Sequence, residues 1–327
     1  MQIKTEISNL INYRLYLTIL QVVENYLKKQ RYLRIELPVL SPALIPELNI
    51  KAFETEYKYI KKKQKLYLTP SPELFLKRLL AHNIGNCYYL GKSFRNNEQN
   101  SSLHSFEFTM LEFYKIGSNY MEMANEFLKM IQYISKIIFG KKVIEYNGKE
   151  IDLSKFEKIS ITQAFEKYAG IKEKELFNKS LFLKKAREKK YTVKGFSYEE
   201  LFSQIYATEI EPNLGINGYP TLIYNYPKDF SSLSKLSSDK KTAERLEIYI
   251  CGIELANCYT ELNCWKEQQK RFKIRKASHS VDMGLIKALQ YGLKNCAGIA
   301  VGMERLGMIF ADVKSIHKLR LINIVNN

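Results

Sequence analysis

The sequence predicts an α+β fold with a mainly antiparallel sheet flanked by helices. Long stretches space their apolar residues as one face of a helix, and short stretches alternate apolar with polar residues as a half-buried strand does. The two kinds of segment are mixed along the chain, and neighbouring strand signals lie close enough to pair directly, which favours α+β over a regularly alternating parallel fold. No internal repeat or low-complexity linker divides the 327 residues, so a single domain over residues 1–327 is expected.

In chain order, residues 8–30 carry Leu10, Ile11, Leu15, Ile19, Leu20, Val23 and Leu27 at helical spacing, with Ser8 or Asn9 as the N-cap. A strand over residues 33–37 follows, closed by Pro38, which has no backbone N–H to donate. Phe53, Thr55, Tyr57 and Tyr59 alternate with polar residues, and residues 66–69 return as their partner strand, so that Lys61, Lys62, Lys63 and Lys65 mark a hairpin tip. Ser71-Pro72-Glu73 then opens a helix: Ser suits the N-cap, Pro the first helical position, and an acid in the first turn offsets the helix dipole. Residues 87–94 and 105–114 read as two antiparallel strands joined by a polar loop. Helices are expected near 120–139, 161–168 and 197–210, while the lysine-rich stretch 141–195 is weakly patterned apart from a hairpin signal at Asn147-Gly148. Strand signals return at 221–226, 244–257 and 298–302, the last of these after helices near 265–275 and 283–291.

Composition excludes several function classes. No apolar run approaches the roughly 18 residues of a membrane span, and no N-terminal stretch has the apolar core of a signal peptide, so the cytoplasm is the expected compartment. The five cysteines, Cys87, Cys251, Cys258, Cys264 and Cys296, are odd in number and form no CxxC pair, which argues against a disulfide framework and a zinc site. A net charge of +17 would suit a nucleic-acid partner, but 40 of the 51 basic residues are Lys, and the richness in Ile, Asn and Tyr fits the codon bias of an AT-rich genome. The charge therefore bears on solubility and association more than on identity.

The stretch FRNNEQNSSLHSFEFTMLEFY, residues 94–114, carries the first chemistry. Residues two apart share a face of a strand, so Phe106, Phe108, Met110, Glu112 and Tyr114 point one way and Glu107, Thr109, Leu111 and Phe113 the other. A buried carboxylate without a partner is costly, so Glu112 is expected to meet solvent in a cleft or to hold a cation. Gly298, Ala300 and Gly302 in GIAVGMERL likewise alternate on one strand face, where small side chains admit close approach of a ligand.

Together these stretches resemble motifs 2 and 3 of the class II aminoacyl-tRNA synthetases, specifically the lysyl type, and the long first helix, strand and Pro38 are similar to the dimer-forming motif 1. The resemblance implies the class II catalytic domain, with ATP and magnesium as cofactors and a homodimer as the assembly. Its chemistry suits the residues, because a carboxylate must approach an α-phosphate that already carries negative charge, and a guanidinium fork grips phosphate best. The resemblance assigns that grip to Arg95 and implies that Phe108 and Arg305 cover the two faces of the adenine, with Arg95 and Arg305 as the catalytic pair. It gives the reading of the adenine amino group to Glu98 or Asn97 and places Asn96, His104, Leu255 and Gly302 around ATP. Glu254 and Glu261 in GIELANCYTEL resemble the family's magnesium carboxylates. Their seven-residue separation puts them on opposite faces of a regular strand, so a break is expected near Asn257, where relatives have Gly after the Asn and this chain has Cys258. Ser71, Pro72, Glu73, Glu112, Tyr114, Asn257, Glu261 and Ala300 are implied to receive the amino-acid substrate, with the acids pairing its ammonium groups.

Within the lysyl type the motif 1-like helix begins within about the first ten residues, so no N-terminal anticodon-binding domain is expected. With SPELFLKRLL, EPNLG and GIELANCYTEL, this resembles the branch of synthetase paralogues that attach (R)-β-lysine to a lysine of elongation factor P. The implied partners are that factor and (R)-β-lysine, without a membrane and with transfer RNA charged poorly if at all. The alternatives are a truncated lysyl-tRNA synthetase acting on transfer RNA and a synthetase-like binding module without catalysis. One departure is the loop NSSLH, one residue longer than in relatives and without the basic residue they place before the His, from which looser ATP binding is expected.

Overall fold

The computed structural model describes residues 1–46, 50–96, 100–274 and 279–325. Its centre is an eight-stranded sheet of β1 (Leu33–Arg34), β2 (Cys87–Phe94), β3 (Glu107–Ile116), β4 (Glu157–Ser160), β5 (Thr221–Pro227), β6 (Thr242–Ile250), β7 (Ile253–Thr260) and β8 (Cys296–Gly302). The spatial order is β4-β5-β6-β7-β8-β3-β2-β1. Every pairing from β5 to β2 is antiparallel, and only the outermost strands, β4 and β1, pair parallel with their neighbours. The α+β architecture read from the sequence is therefore the one observed.

One face of the sheet is covered by α1 (Leu10–Lys29), α3 (Tyr120–Phe139) and α4 (Met303–Phe310), the second helix of the fold, α2 (Glu73–Ala81), lying elsewhere. Ile19, Val23 and Leu27 of α1, Phe127 and Ile131 of α3, and Leu306 and Ile309 of α4 pack on Leu111, Phe113, Ile299 and Val301 from the strands. α3 is delimited by local chemistry. Asn119 accepts from the backbone of Met121 and Glu122 while Glu122 returns a bond to the Asn119 N–H, and Gly140 ends the helix in the left-handed conformation at φ 73.

The opposite face is open in its middle and roofed at its two ends. Over β2, β3 and β8, α2 and the helix Met283–Gln290 bury Leu76, Leu80, Leu285 and Leu289 against Cys87, Tyr114 and Cys296. Over β4 and β5, the helices Ile161–Ala169, Lys179–Glu188 and Tyr198–Ile205 bury Phe165, Phe182 and Phe202 against Ile159 and Ile223. The stretch that looked weakly patterned thus supplies a core of its own.

Several boundaries differ from the sequence reading for identifiable reasons. The strand expected over 33–37 is regular only at Leu33–Arg34, although the Ile35 N–H still donates to Tyr88 O at 2.8 Å. The signal over 244–257 is a hairpin, because Cys251 and Gly252, at φ 50 and 73, turn the chain between β6 and β7. The helix expected to reach 210 ends at Ile205 and continues as a wider π turn over Tyr206–Ile210. α2 starts at Glu73 with Pro72 at the cap, one residue later than expected, although Ser71 Oγ still accepts from the Glu73 N–H at 3.1 Å. The hairpin signalled at Asn147-Gly148 forms between Val143–Tyr146 and Lys149–Asp152, whereas in the hairpin of Glu54–Tyr59 with Lys62–Leu68 the turn falls at Ile60-Lys61, with Ile60 at φ 54, so Lys62, Lys63 and Lys65 stand in the return strand rather than at the tip. Among the described residues no helix is long and apolar enough to cross a membrane.

Candidate active site

The open face carries a cleft of about 900 Å³, within the range of small-molecule sites. Its floor follows from strand alternation. Phe108, Met110, Glu112 and Tyr114 of β3 line it, while Leu111 and Phe113 face the core. In register beside them, Gly298 pairs with Tyr114 and Tyr259, and Ala300 pairs with Glu112 and Asn257.

At one end of the cleft a set of acids converges. Ser71 Oγ donates to Glu112 Oε2 at 2.8 Å, and the Tyr114 hydroxyl donates to Glu112 Oε1. Lys77, four residues after Glu73 on α2, places Nζ 2.7 Å from Glu73 Oε1 and 2.6 Å from Glu261 Oε2. The Tyr259 hydroxyl also donates to Glu73 Oε1. Burial pushes the Glu112 carboxyl up to about 8, helped by the charge of Glu73 and opposed by the bonds from Tyr114 and Ser71. Burial likewise pushes Glu261 up to about 8 against the pull of Lys77. Lys77 is itself desolvated, yet Glu261 and Glu73 outweigh that and hold its ammonium charged. Two acceptors here, Asn257 Oδ1 and Glu261 Oε1, are buried and have no hydrogen-bond partner among the described residues. Buried acceptors are costly when unsatisfied, so this end of the cleft is built to take donors. Pro72 caps α2 and accepts from the Phe75 and Leu76 N–H groups, holding the acids in place from behind the lining.

The other end is cationic and aromatic. The Arg95 N–H donates to Phe106 O at 2.9 Å, which extends the β2–β3 ladder by one residue and turns the guanidinium over Phe108. Arg305 follows the small β8 residues on the first turn of α4, whose Glu304 takes the Thr109 N–H on both carboxylate oxygens and is held by Arg320 at 3.0 Å. Arg305 donates to Leu103 O at 3.2 Å, to Glu254 O at 3.0 Å and to Glu254 Oε2 at 3.3 Å, and it meets His104 Nε2 at 2.7 Å. Gly302 caps α4 and lines the cleft, as does Leu255, although the Leu255 side chain is buried in the main core. Asn96 is exposed, with its N–H donated to Lys51 O at 2.8 Å, and it stands outside the lining. Asn97 and Glu98 lie outside the described residues.

The break needed between Glu254 and Glu261 is present, but two residues before Asn257. On β6, Ile248 pairs with Ala256 and the next residue, Tyr249, pairs with Glu254, so Leu255 is an extra residue in the ladder. This bulge returns Glu254 to the face of Asn257 and Tyr259. Cys258 sits in regular strand between Leu246 and Ile299, buried in the core, and its thiol donates to Tyr120 O at 3.4 Å. Beyond the bulge the two carboxylates have different partners. Glu254 bonds Arg305 in the cleft, whereas the Glu261 side chain is fully buried one layer behind the lining with Lys77. Among the described residues no three His, Cys, Asp or Glu side chains are placed to hold one metal ion.

Of the residues expected from the sequence, the structure gathers Ser71, Glu73, Glu112, Tyr114 and Asn257 at one end and Arg95, His104, Phe108, Glu254 and Arg305 at the other, with Ala300 on the floor beside Glu112. Sequence reasoning missed Lys77 and Tyr259, both of which had a signal: Lys77 is i+4 from Glu73 on a helix, and Tyr259 alternates with Asn257. It also missed Arg245 and Glu247 of β6, which line the cleft and bond each other at 2.8 Å. Tyr226 and Tyr249 donate to Glu247 at 2.6 and 2.8 Å, and its charge adds to desolvation in pushing the Glu254 carboxyl up to about 7.

Residues 3–322 match the family model of the tRNA synthetases class II (D, K and N). The chain is 32% identical to the elongation factor P–(R)-beta-lysine ligase of Buchnera aphidicola subsp. Baizongia pistaciae, over 91% of this chain and 90% of that protein. It is 32% identical to the lysine–tRNA ligase of Neisseria gonorrhoeae, over 93% of this chain and 61% of that protein, and 30% identical to that of Staphylococcus epidermidis, over 93% and 62%. The chain therefore spans about three fifths of the length of the lysine–tRNA ligases it matches.

Proposed function

The chain belongs to the tRNA synthetases class II (D, K and N) and is an ATP-dependent ligase, and from that premise we propose that it activates (R)-β-lysine as an adenylate and transfers it to a lysine side chain of elongation factor P. The observation that carries this reading is the division of the cleft, with Glu73 and Glu112 lining one end, Arg95 and Arg305 the other, and Ala300 between them. The name of the Buchnera relative, matched over 90% of its own length, supports the acceptor.

In this reading the substrate ammonium groups lie against Glu73, Glu112 and the unpaired acceptor of Asn257, which points the carboxylate toward Arg95. A carboxylate oxygen attacks the α-phosphorus of ATP, the bond to the bridging oxygen breaks, and pyrophosphate leaves. Arg95 supplies positive charge where the pentacoordinate phosphorus gathers negative charge. In the second step the neutral ε-amine of the acceptor lysine attacks the acyl carbon, AMP departs, and the amine gives up a proton as the amide forms. Holding the reactants in line supplies much of the acceleration.

Glu254 is the carboxylate that would hold magnesium: burial first, and then the charges of Glu247 and Glu211 against the pull of Arg305, raise its carboxyl to about 7, and a divalent cation there would favour the ionised form. Magnesium would supply charge neutralisation on the ATP phosphates. Glu261 offers only Oε1, because Oε2 is held by Lys77. A homodimer is also proposed, since Ile11 and Leu17 of α1 are exposed together with Ile7, Leu33, Val39 and Leu40. Sedimentation of the protein at the mass of one chain would remove it.

A second reading, transfer of lysine to transfer RNA, is favoured by the net charge of +17 and by the equal identity to the Neisseria lysine–tRNA ligase. The deciding experiment is the mass of purified elongation factor P after incubation with the protein, ATP, magnesium and each lysine isomer, beside acylation of transfer RNA under the same conditions. A gain of one β-lysyl group on the factor is expected. Acylated transfer RNA with an unmodified factor would establish the second reading instead.

A further inference from the structure

We propose that Lys77 is a positioning residue of the substrate pocket, a buried ammonium behind the cleft that aims the Glu73 carboxylate and leaves the pocket with room for two further positive charges. The proposal rests on the reading above that this end of the cleft receives the amines of a diamino acid.

Lys77 does not line the cleft, and its side chain is 3% exposed. Its one nitrogen bridges two acids from different elements, Glu73 on the first turn of α2 and Glu261 just past the end of β7, and lies 5.2 Å from the centroid of the Tyr259 ring. Lys77 and Tyr259 both bond Glu73 at Oε1, which leaves Oε2 as the oxygen available to a ligand. Glu112 is turned by a different pair, Ser71 and Tyr114, so the two carboxylates on the lining are fixed independently.

Charge accounting gives the second half of the proposal. Once a bound ligand draws Glu112 and Glu261 into the ionised form that burial opposes, they and Glu73 bring three negative charges to a buried region in which Lys77, the internal cation, contacts Glu73 and Glu261. The remaining deficit is two positive charges, the number of ammonium groups on a diamino acid and one more than a monoamine carries. Replacing Lys77 by an uncharged side chain leaves Glu261 as an uncompensated buried charge and removes one of the two bonds that aim Glu73 Oε1, leaving that of Tyr259. Pairs of this kind are strongly perturbed when one partner is removed.

The test is calorimetric binding of (R)-β-lysine, lysine and 1,5-diaminopentane to the metal-free, ATP-free protein and to Lys77→Met and Lys77→Arg, with melting temperature and ATP affinity measured on each. Lys77→Met should weaken all three diamines by about a hundredfold and leave ATP affinity unchanged, whereas Lys77→Arg keeps the cation and should stay within about tenfold of wild type. A role confined to packing would lower the melting temperature and leave diamine affinity of the folded protein intact. A folded Lys77→Met variant that binds the diamines as wild type does therefore overturns the proposal. Should Lys77→Met not fold, a folded Lys77→Arg variant that has lost the diamines overturns it equally. Wild-type protein that binds none of the three overturns the amine reading itself, and this proposal with it.

Discussion

The guanidinium carbon of Arg95 lies 5.1 Å from the centroid of the Phe108 ring, the cation over the aromatic face. The contact ties the residue proposed to grip phosphate to the residue proposed to stack adenine, so the two substitutions should separate by kinetic signature. Arg95→Ala removes charge stabilisation at phosphorus and should slow substrate-dependent pyrophosphate exchange by about 10²–10³. Phe108→Ala removes a stacking surface worth about 1–3 kcal/mol, so it should raise the KM for ATP about 5- to 150-fold and change kcat less. Near-normal exchange in Arg95→Ala would take that residue out of the mechanism.

Much of this site was legible because one strand, β3, obeys simple alternation: the row of Phe108, Met110, Glu112 and Tyr114 lines the cleft as its period of two requires. The bulge at Leu255 was legible only as a contradiction, two carboxylates seven apart that should share a face. The hydrophobic pattern does not say which residue a ladder leaves out, and Cys258, the visible departure, sits in regular strand. Lys77 escaped notice for a different reason. A lysine on an amphipathic helix is ordinarily solvated, and only the arrival of Glu261 from past β7 makes its burial possible. The helices between 161 and 205 were partly hidden because lysines on their outer faces dilute an aromatic core of Phe165, Phe182 and Phe202.

Gly298 provides a second prediction. A Cβ at this position would collide with the Tyr114 ring and come within 2.8 Å of Glu261 Oε1, and Tyr114 is itself anchored on Glu112. Gly298→Ala should therefore displace the amine-reading groups and destabilise by about 1–3 kcal/mol, the usual range for overpacking, lowering Tm by roughly 1–5 °C. Loss of binding should fall on the amino acid and spare ATP. A variant with wild-type Tm and unchanged KM for the amino acid would show that Tyr114 can yield without consequence.

The acids also set a pH dependence. The folded-state pKa of Glu112 is about 8, above the ordinary 4.5, chiefly through burial and then the charge of Glu73, with Lys77, Ser71 and Tyr114 opposing. A carboxyl raised in the folded state contributes stability that is fully present below about pH 4.5 and is lost as pH rises through about 8. The ligand-free protein should lose stability from this group across that window, and Glu112→Gln should flatten the fall in Tm between about pH 5 and 8. A ligand that supplies ammonium groups should oppose the loss, with proton release on binding near pH 7. Identical Tm profiles for wild type and Glu112→Gln would show that Glu112 stays ionised throughout.

Ala300 bears on the choice between lysine isomers. It is paired with Glu112 on one side and Asn257 on the other, and it lines the cleft between the acidic and cationic ends. Ala300 stands between Gly298 and Gly302 on one strand face, so it adds one methyl that, in the proposed pose, meets the carbon bearing an α-amine. A methyl there crowds an α-amino acid and leaves room for one whose amine sits a carbon further along. Discrimination by a single methyl is worth about 1–3 kcal/mol, so Ala300→Gly should move the ratio of activation efficiencies for the two isomers toward α-lysine by roughly 10- to 200-fold. The measurement is pyrophosphate exchange with each isomer, using melting temperature to establish that the variant is folded. If the folded variant keeps the wild-type ratio, the methyl only fills space, and selection of (R)-β-lysine must come from the placement of Glu73 and Glu112 instead.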